Sequence, residues 1–345
     1  MKSRLNAQSV LSVATDLLKQ AGASDAHAAL QAGILVEAEM RGHPSHGVMR
    51  LPRLLKRIEA GLIDVTATGL QHWHTDSMLT VDGGMGLGPV VAMRALDALY
   101  QRSQRTGICI AAIRNANHLG MLAYYVEHYA KKGSIVVALS TSEALVHPWG
   151  GRKAMLGTNP LAIGIPTGGR PFVLDMATGT VSMGKIHDFA RRGEPIPLGW
   201  ALDSDGEPTT DAAAAKNGAL APFGGAKGYG LGLALELLVA TLAGSALAPN
   251  VRGTLDDDNP ANKGDVFIVI DPPLQPGLAE RIDSYLADIR RCPPQDAASR
   301  VSVPGDGAHR RRSASLEHGL EIDSDLWASL TGALSKTPSL AIQDT

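Results

Sequence analysis

From residue 77 onward, strand-like and helical runs alternate, the order expected of a doubly wound parallel sheet. Neither glycine cluster in the chain has the spacing such a sheet needs at its first turn. The run Gly83-Gly84-Met85-Gly86-Leu87-Gly88 follows a strand-like segment, yet no register of it reads G-x-G-x-x-G. Gly228-Tyr229-Gly230-Leu231-Gly232 fails in the same way. The dinucleotide fingerprint is absent, and so are the Walker A pattern, the G-x-S-x-G elbow and the H-E-x-x-H pair. Whatever fold the alternation builds, it does not place a ligand by those devices.

The runs themselves are clear. Residues 77–82, 107–113, 135–140, 161–165, 172–175 and 265–270 read as strands. Residues 89–104, 121–132, 229–243, 275–291 and 323–334 read as helices, with a loop over 304–307. The first sixty residues differ in texture and read as three helices. One carries Val10, Leu11, Val13, Leu17 and Leu18 and ends near Gly22; a second starts at the capping pair Ser24-Asp25 and runs to Met40. The third starts at Ser45, repeats Val48, Leu51, Leu54, Leu55 and Ile58 at helical spacing, and closes at Gly61, with Pro52 within its first two turns.

Composition narrows the partners. The 345 residues suffice for two domains, and 44% hydrophobic with 19% charged residues fits a globular chain. A net charge of −2 offers no electrostatic footing for nucleic acid. No apolar stretch approaches a membrane span, the amino terminus has no signal-peptide core, and the cytoplasm is the expected compartment. Cys109 reads as a core residue in an apolar run; neither it nor Cys292 has metal or redox spacing, and no metal is expected.

Four clusters carry possible chemistry. In Arg41-Gly42-His43-Pro44-Ser45-His46-Gly47-Val48-Met49-Arg50, Ser45 reads as an N-cap, with His46 in the first turn and Arg50 one turn on. A helix N-terminus disfavours a charged imidazole, which tunes His46 toward a neutral ring exchanging protons near pH 7. The group can bind a carboxylate and pass a proton; equally, it can be a cap and surface polar groups. His118, in Asn115-Ala116-Asn117-His118-Leu119-Gly120, follows a strand end, a common site position and also a common place for a loop histidine bonded to backbone. Asp175-Met176-Ala177-Thr178 can hold a phosphate or ribose, or be a satisfied turn. Lys227, in Gly224-Gly225-Ala226-Lys227-Gly228-Tyr229, opposes the dipole of the helix it starts, which calls for an anion: phosphate, or a local carboxylate.

Taken in order, these motifs resemble the malate/L-lactate dehydrogenase family of the non-Rossmann type, whose relatives include ureidoglycolate dehydrogenase, diketogulonate reductase and Δ1-piperideine-2-carboxylate reductase. The resemblance covers nearly the whole chain. It rests on Ser45-His46-Gly47 with Arg50, Asn117-His118-Leu119-Gly120, Gly157-Thr158-Asn159-Pro160 and Asp175-Met176-Ala177-Thr178. Gly184-Lys185, Ile196-Pro197-Leu198-Gly199-Trp200-Ala201, Lys227-Gly228-Tyr229-Gly230 and Pro304-Gly305 complete it.

The resemblance implies an α/β (α+β), non-Rossmann fold, a helical domain packed on an NAD(P)-binding domain with a largely antiparallel sheet, usually as a homodimer. That corrects the doubly wound sheet and assigns 1–75 with 275–345 to the helical domain and 76–274 to the cofactor domain. It implies an oxidoreductase interconverting a small 2-oxo acid and its 2-hydroxy acid. The alternatives are reduction of a cyclic 2-imino acid, or oxidation of ureidoglycolate or sulfolactate. His46 is then the proton donor with Ser45 in relay, and His118 a second acid/base or a cofactor-site residue. Arg50 clamps the substrate carboxylate and Thr158 contacts the substrate. Ser142, Asp175, Met176, Ala177, Thr178, Ala226, Lys227, Gly305, Asp306 and Arg310 contact the cofactor, NADP or NAD, with the basic run 310–312 favouring NADP. Lys185, His187, Arg191 and Arg192 are candidate cations for a second anionic substrate group. Asp306, where relatives carry Glu or Gln, and Gly179, where many carry a hydroxyl, depart from the family pattern.

Overall fold

The computed structural model describes residues 2–273, 275–296 and 299–335. Its elements in chain order are β1 (Lys2–Leu5), α1 (Ala7–Gln20), α2 (Asp25–Met40), α3 (Leu51–Glu59), β2 (Leu70–Trp73), β3 (Met78–Asp82), α4 (Gly88–Thr106) and β4 (Ile108–Arg114). There follow α5 (Leu122–Ala130), β5 (Ile135–Ser140), β6 (Leu161–Ile165), β7 (Phe172–Met176), α6 (Met183–Arg192), β8 (Ala201–Leu202), α7 (Ala212–Ala215) and β9 (Ala219–Leu220). The chain continues through α8 (Ala226–Ala243), β10 (Gly264–Ile270), α9 (Leu278–Arg291), α10 (Asp306–His318), β11 (Leu320–Asp323) and α11 (Ser324–Ser335).

The chain divides into two units, Met1–Thr66 with Asp306–Thr345, and Ala67–Gly305. The seams differ from the expected 75/76 and 274/275. Residues 67–75 belong with the sheet because β2 pairs with β3, His72 opposite Thr80. Helix α9 belongs there too, with the Asp283 carboxylate against Gly168. Met1, Leu274 and residues 336–345, parts of the expected segments, lie outside the described residues.

In the first unit β1 pairs antiparallel with β11, Lys2 opposite Asp323, so both ends of the unit meet in one ribbon. Ser24 caps α2 as expected, accepting from the His27 N–H at 3.3 Å. The expected loop at 304–307 ends early, because α10 starts at Asp306, a carboxylate in its first turn. Two arginines fix α10 to α2: Arg311 Nε donates to the Arg41 carbonyl at 2.7 Å and Arg312 Nε to Glu37 Oε1 at 2.7 Å.

The third helix does not start at Ser45. Residues Pro44–His46 and Val48–Arg50 form two 3₁₀ turns broken by an extended Gly47, and the α-helix starts at Leu51. Pro52 is the reason: it has no N–H for an i→i−4 bond, so it fits only in a first turn. Gly61, at φ +71, closes that helix as expected.

The second unit is a seven-stranded sheet in the order β2-β3-β4-β10-β5-β6-β7. Only β3 and β4 pair in parallel; every other neighbouring pair is antiparallel. A row of Ala112, Val266 and Leu139 from β4, β10 and β5 packs with Val239 and Ala243 of α8. Phe267, next along β10, faces the other way and meets Tyr125 of α5 at 5.6 Å between ring centroids. The central strands are thus covered on both faces, and Cys109 is buried among them as expected. A second core around Val146, Ile186, Ile196 and Leu220 holds α6, α7 and the β8–β9 ribbon.

Helix α8 corrects another expectation. It is 18 residues long with a mean hydropathy of 1.3, which reaches membrane-spanning length and composition. Interspersed glycine and alanine disguise the run in the sequence. One face of it packs on the sheet, while Leu231, Leu237 and Leu238 are exposed.

At the start of β10 lies a buried ion pair. Lys263 Nζ donates to both oxygens of Asp265, and both side chains are almost wholly buried. Ser140 Oγ, at the end of β5, donates to the same carboxylate at 2.6 Å. Removing one partner strands a buried charge, whereas replacing both does not. Lys263→Met is expected to lower stability by about 3–5 kcal/mol. Lys263→Met with Asp265→Leu should recover most of that loss. Urea denaturation measures both, and an equal loss in the double variant would contradict this account of the pair.

Candidate active site

Strand direction decides where the candidate residues gather. Because β10 runs antiparallel to both β4 and β5, those two point the same way and their carboxyl ends flank the start of β10. β3 runs parallel to β4, so its end joins them. β6 starts, and β7 ends, at the same edge, where Leu161 faces both Leu139 and Met176. The segments with His118, Ser142, Thr158 and Asp175 to Thr178 therefore all leave or enter at one edge of one sheet.

Three of these residues form a hydrogen-bonded cluster. Thr158 N–H donates to Ser142 Oγ at 3.0 Å, and the two hydroxyls lie 3.4 Å apart. The Thr158 carbonyl accepts from Thr178 N–H at 2.8 Å and from Thr178 Oγ1 at 3.0 Å. The Thr178 carbonyl in turn accepts from Phe223 N–H at 3.0 Å, which ties the cluster to the turn before α8. Asp175 serves the fold as well as the edge: one oxygen accepts from Ala123 N–H at 2.7 Å, at the start of α5. Met176 and Ala177 lie half-buried between Asp175 and Thr178.

The glycine cluster after β3 has a structural task. Met85 N–H donates to the Asn115 carbonyl at 2.8 Å, and Asn117 Nδ2 donates to the carbonyls of Met85 and Gly86 at 2.7 and 3.1 Å. A Cβ on Gly88 would fall 2.3 Å from the Asn117 carbonyl and 2.5 Å from that of His118. These glycines let two loops pack backbone to backbone and so fix the His118 segment. His118 Nδ1 accepts from Gly120 N–H at 3.1 Å, so the neutral ring carries its proton on Nε2.

Helix α8 presents an uncapped N-terminus. Among the described residues no side chain caps its N-terminus and no acid lies in its first turn. Ala226 and Lys227 are exposed there, and Gly225 precedes them at φ +64. Uncapped N–H groups plus an exposed ammonium suit a phosphate group. The groups at this edge therefore fit a nicotinamide nucleotide: hydroxyls at 142 and 178, and uncapped amides with an ammonium at 226–227.

Ser45, His46 and Arg50 come together within the first unit, in a different way from that expected. Arg50 Nε donates to the Ser45 carbonyl at 2.8 Å, so backbone, not a hydroxyl cap, holds the guanidinium beside the turn. His46 is neutral, as expected, but for another reason, and in the free protein it does not exchange its proton near pH 7 as the sequence suggests. Its pKa is lowered to about 3 by burial first, then by Arg50 and His43. A helix dipole plays no part, since no α-helix starts there.

Glu39, missed in the sequence, supports this turn. Its Oε1 accepts from Val48 N–H at 3.0 Å. A Cβ on Gly47 would fall 2.2 Å from that oxygen, so a side chain there would displace the carboxylate from the Val48 N–H. Burial pushes the Glu39 carboxyl up to about 7, opposed by the Val48 N–H. An acid in the last turn of a helix opposes the dipole, and that was the available signal.

The remaining candidates lie on other elements of the chain. Gly305, at φ +93, ends the second unit beside the Val173 carbonyl; Asp306 starts α10, and Arg310 is exposed on it. Arg311 and Arg312 each donate from Nε to the α2 segment, and Arg310 faces solvent. On α6, Lys185 lies over Trp200 at 4.8 Å, Arg191 pairs with Asp188 at 2.8 Å, and Arg192 pairs with Glu194 at 3.1 Å. His187 is exposed. Local partners thus hold three of the four candidate cations.

Comparison with known proteins identifies the fold and the family. Residues 5–331 match the family model described as malate/L-lactate dehydrogenase. L-sulfolactate dehydrogenase of Methanocaldococcus jannaschii is 35% identical over 91% of this chain and 92% of its own. Delta(1)-pyrroline-2-carboxylate reductase of Pseudomonas fluorescens is 33% identical over 96% and 98%. The crystal structure of a dehydrogenase from Sinorhizobium meliloti superposes with a TM-score of 0.93 at 53% identity, covering 97% of this chain and 98% of that one. The non-Rossmann, mostly antiparallel fold is thus shared with relatives along almost the whole length, and this oxidoreductase belongs to the malate/L-lactate dehydrogenase family.

Proposed function

We propose that the protein reduces a small 2-oxo acid to its 2-hydroxy acid, and the reverse, with NAD(P). The observation that carries the reading is the sheet edge, where Ser142, Thr158 and Thr178 share one hydrogen-bonded cluster tied to the uncapped start of α8. Ser142, Thr178, Ala226 and Lys227 hold the cofactor, with Lys227 and the α8 amides on a phosphate. The bound nicotinamide supplies or takes up the hydride. Exposed Arg310 leaves NADP the favoured form.

Arg50 takes the substrate carboxylate, a task for a planar guanidinium fork already oriented by the Ser45 carbonyl. His46 moves the proton at the C2 oxygen. In the free protein its ring is neutral, ready to accept that proton in oxidation. In reduction the carboxylate offsets the charge of Arg50, one cause of the lowered pKa, and so raises the ring's proton affinity. His118, with Nε2–H fixed by Gly120, is the second donor. A second reading, favoured by the likeness to the pyrroline-2-carboxylate reductase, has the same groups reduce a cyclic 2-imino acid.

NAD(P)H oxidation followed at 340 nm with pyruvate, oxaloacetate, sulfopyruvate and Δ1-piperideine-2-carboxylate tests the reading. With the acid that supports turnover, His46→Ala should lower kcat by about 10²–10⁴-fold. Arg50→Lys should raise KM by about tenfold, the loss of one charge-assisted bond. Unchanged kcat, or unchanged KM, would remove the respective role.

The pH dependence follows from the sign of the His46 shift. Its folded pKa, about 3, lies below the ordinary value of 6.5. The ring is therefore neutral across that window, and the unfolded chain takes up the proton first as pH falls from 6.5 toward 3. Stability thus declines through that window. Oxidative kcat/KM, which reports the free enzyme, should show no loss near 6.5 from this group. A limb near 6.5 that persists in His118→Asn would contradict it.

A further inference from the structure

The geometry points to Glu236 as the positioning residue of the cofactor edge. It is the sole charged residue between Lys227 and Arg252, yet it is only 3% exposed. A lone acid in an apolar helix is retained only where hydrogen bonds replace its hydration. Three are present. Oε2 accepts from Gly157 N–H at 3.1 Å and from Asn159 Nδ2 at 2.8 Å, and Oε1 accepts from Ala248 N–H at 2.8 Å.

These partners bracket Thr158 on both sides. Thr158 is the residue whose N–H and carbonyl join Ser142 to Thr178. The Ala248 turn reaches the same edge by another route, since its carbonyl accepts from Ala144 N–H, two residues past Ser142, at 3.1 Å. One carboxylate therefore holds the loop at 157–159 and braces the segment after Ser142.

The loop is held against its own preferences. Asn159 sits at φ +37, in the left-handed region that non-glycine residues seldom occupy. Its Nδ2 is oriented by two acceptors, Glu236 Oε2 and the Gly232 carbonyl at 3.1 Å, which fixes Oδ1 as the opposite atom. That Oδ1 is buried without a hydrogen-bond partner. An unfavourable backbone and an unsatisfied acceptor persist only where the surroundings impose them. Glu236 imposes both. Without touching the cofactor, it sets the distance between Ser142 and Thr178.

The inference rests on the reading of Ser142 and Thr178 as cofactor contacts. Its test is the affinity for NADPH, followed by the fluorescence of the bound nucleotide. Glu236→Gln puts an amide donor among three donors; Kd should rise about tenfold or more, as for loss of a hydrogen bond to a charged group. Val239→Ala, on the same helix and fully buried, removes packing without touching the loop. It should leave Kd within about twofold.

Wild-type Kd in Glu236→Gln, or an equal rise in both variants, overturns the proposal. Should Glu236→Gln fail to fold, Asn159→Gly serves instead: it keeps the left-handed backbone and removes the amide bridge, with the same rise expected and an unchanged Kd again overturning the role. Hydrogen–deuterium exchange of residues 155–160 gives a readout free of ligand. Faster exchange there in Glu236→Gln, and not in Val239→Ala, is expected; unchanged exchange contradicts the proposal. Failure of the wild type itself to bind NADPH refutes the proposed function, and the exchange result then decides the role of Glu236 in the loop.

Discussion

The architecture of the edge depends on one strand. β10 enters the sheet between β4 and β5 and runs against both. Had it paired parallel, or lain at a margin, the segments with His118 and Ser142 would not leave side by side. Its entry point is pinned by charge: Lys263 and Asp265 neutralise each other in a fully buried place, and Ser140 adds a third partner from β5. Thr141 closes the same seam, exchanging backbone and side-chain bonds with Gly264. Such a pair adds little net stability over apolar residues, so its value lies in register. A one-residue slip would strand both charges and turn Val266 and Phe267 to the wrong faces.

Around that seam the chain repeatedly accepts local cost for position. The glycines at 83–88 forgo side chains so that two loops can share backbone bonds. Gly47 forgoes one so that the Glu39 carboxyl can reach Val48. Asn159 holds a left-handed backbone. In each place the concession falls beside a residue to which the proposed function gives a chemical task. That is where strain is expected if precise placement matters more than stability.

Much of this was legible in the sequence. The strands at 135–140 and 161–165 match their expected bounds, and that at 77–82 matches within a residue, because short apolar runs between turn residues carry their own period. The ordered motifs identified the family and overrode the doubly wound sheet that alternation alone suggests. Less legible was whatever depends on distant partners. β1 and β11 are four-residue strands that exist only through each other. Helix α10, mostly polar, is held by arginine contacts to α2 rather than by a periodic apolar face. The turn at Ser45 looked like a helix start because the 3.6-residue period continues through it, and Pro52 decided otherwise. Glu236 and Lys263 are single charges in apolar surroundings, visible as anomalies but silent about their partners.

The central claim is that hydride moves between a nicotinamide nucleotide and C2 of a small carboxylic acid. NAD(P)H carrying deuterium at both C4 positions, incubated with the protein and each candidate 2-oxo or cyclic 2-imino acid, tests it when the products are read by mass spectrometry. The account predicts one deuterium on C2 of the hydroxy or amino acid formed, for at least one acid. Reduced product without deuterium, or no product from any acid despite bound nucleotide, would contradict it.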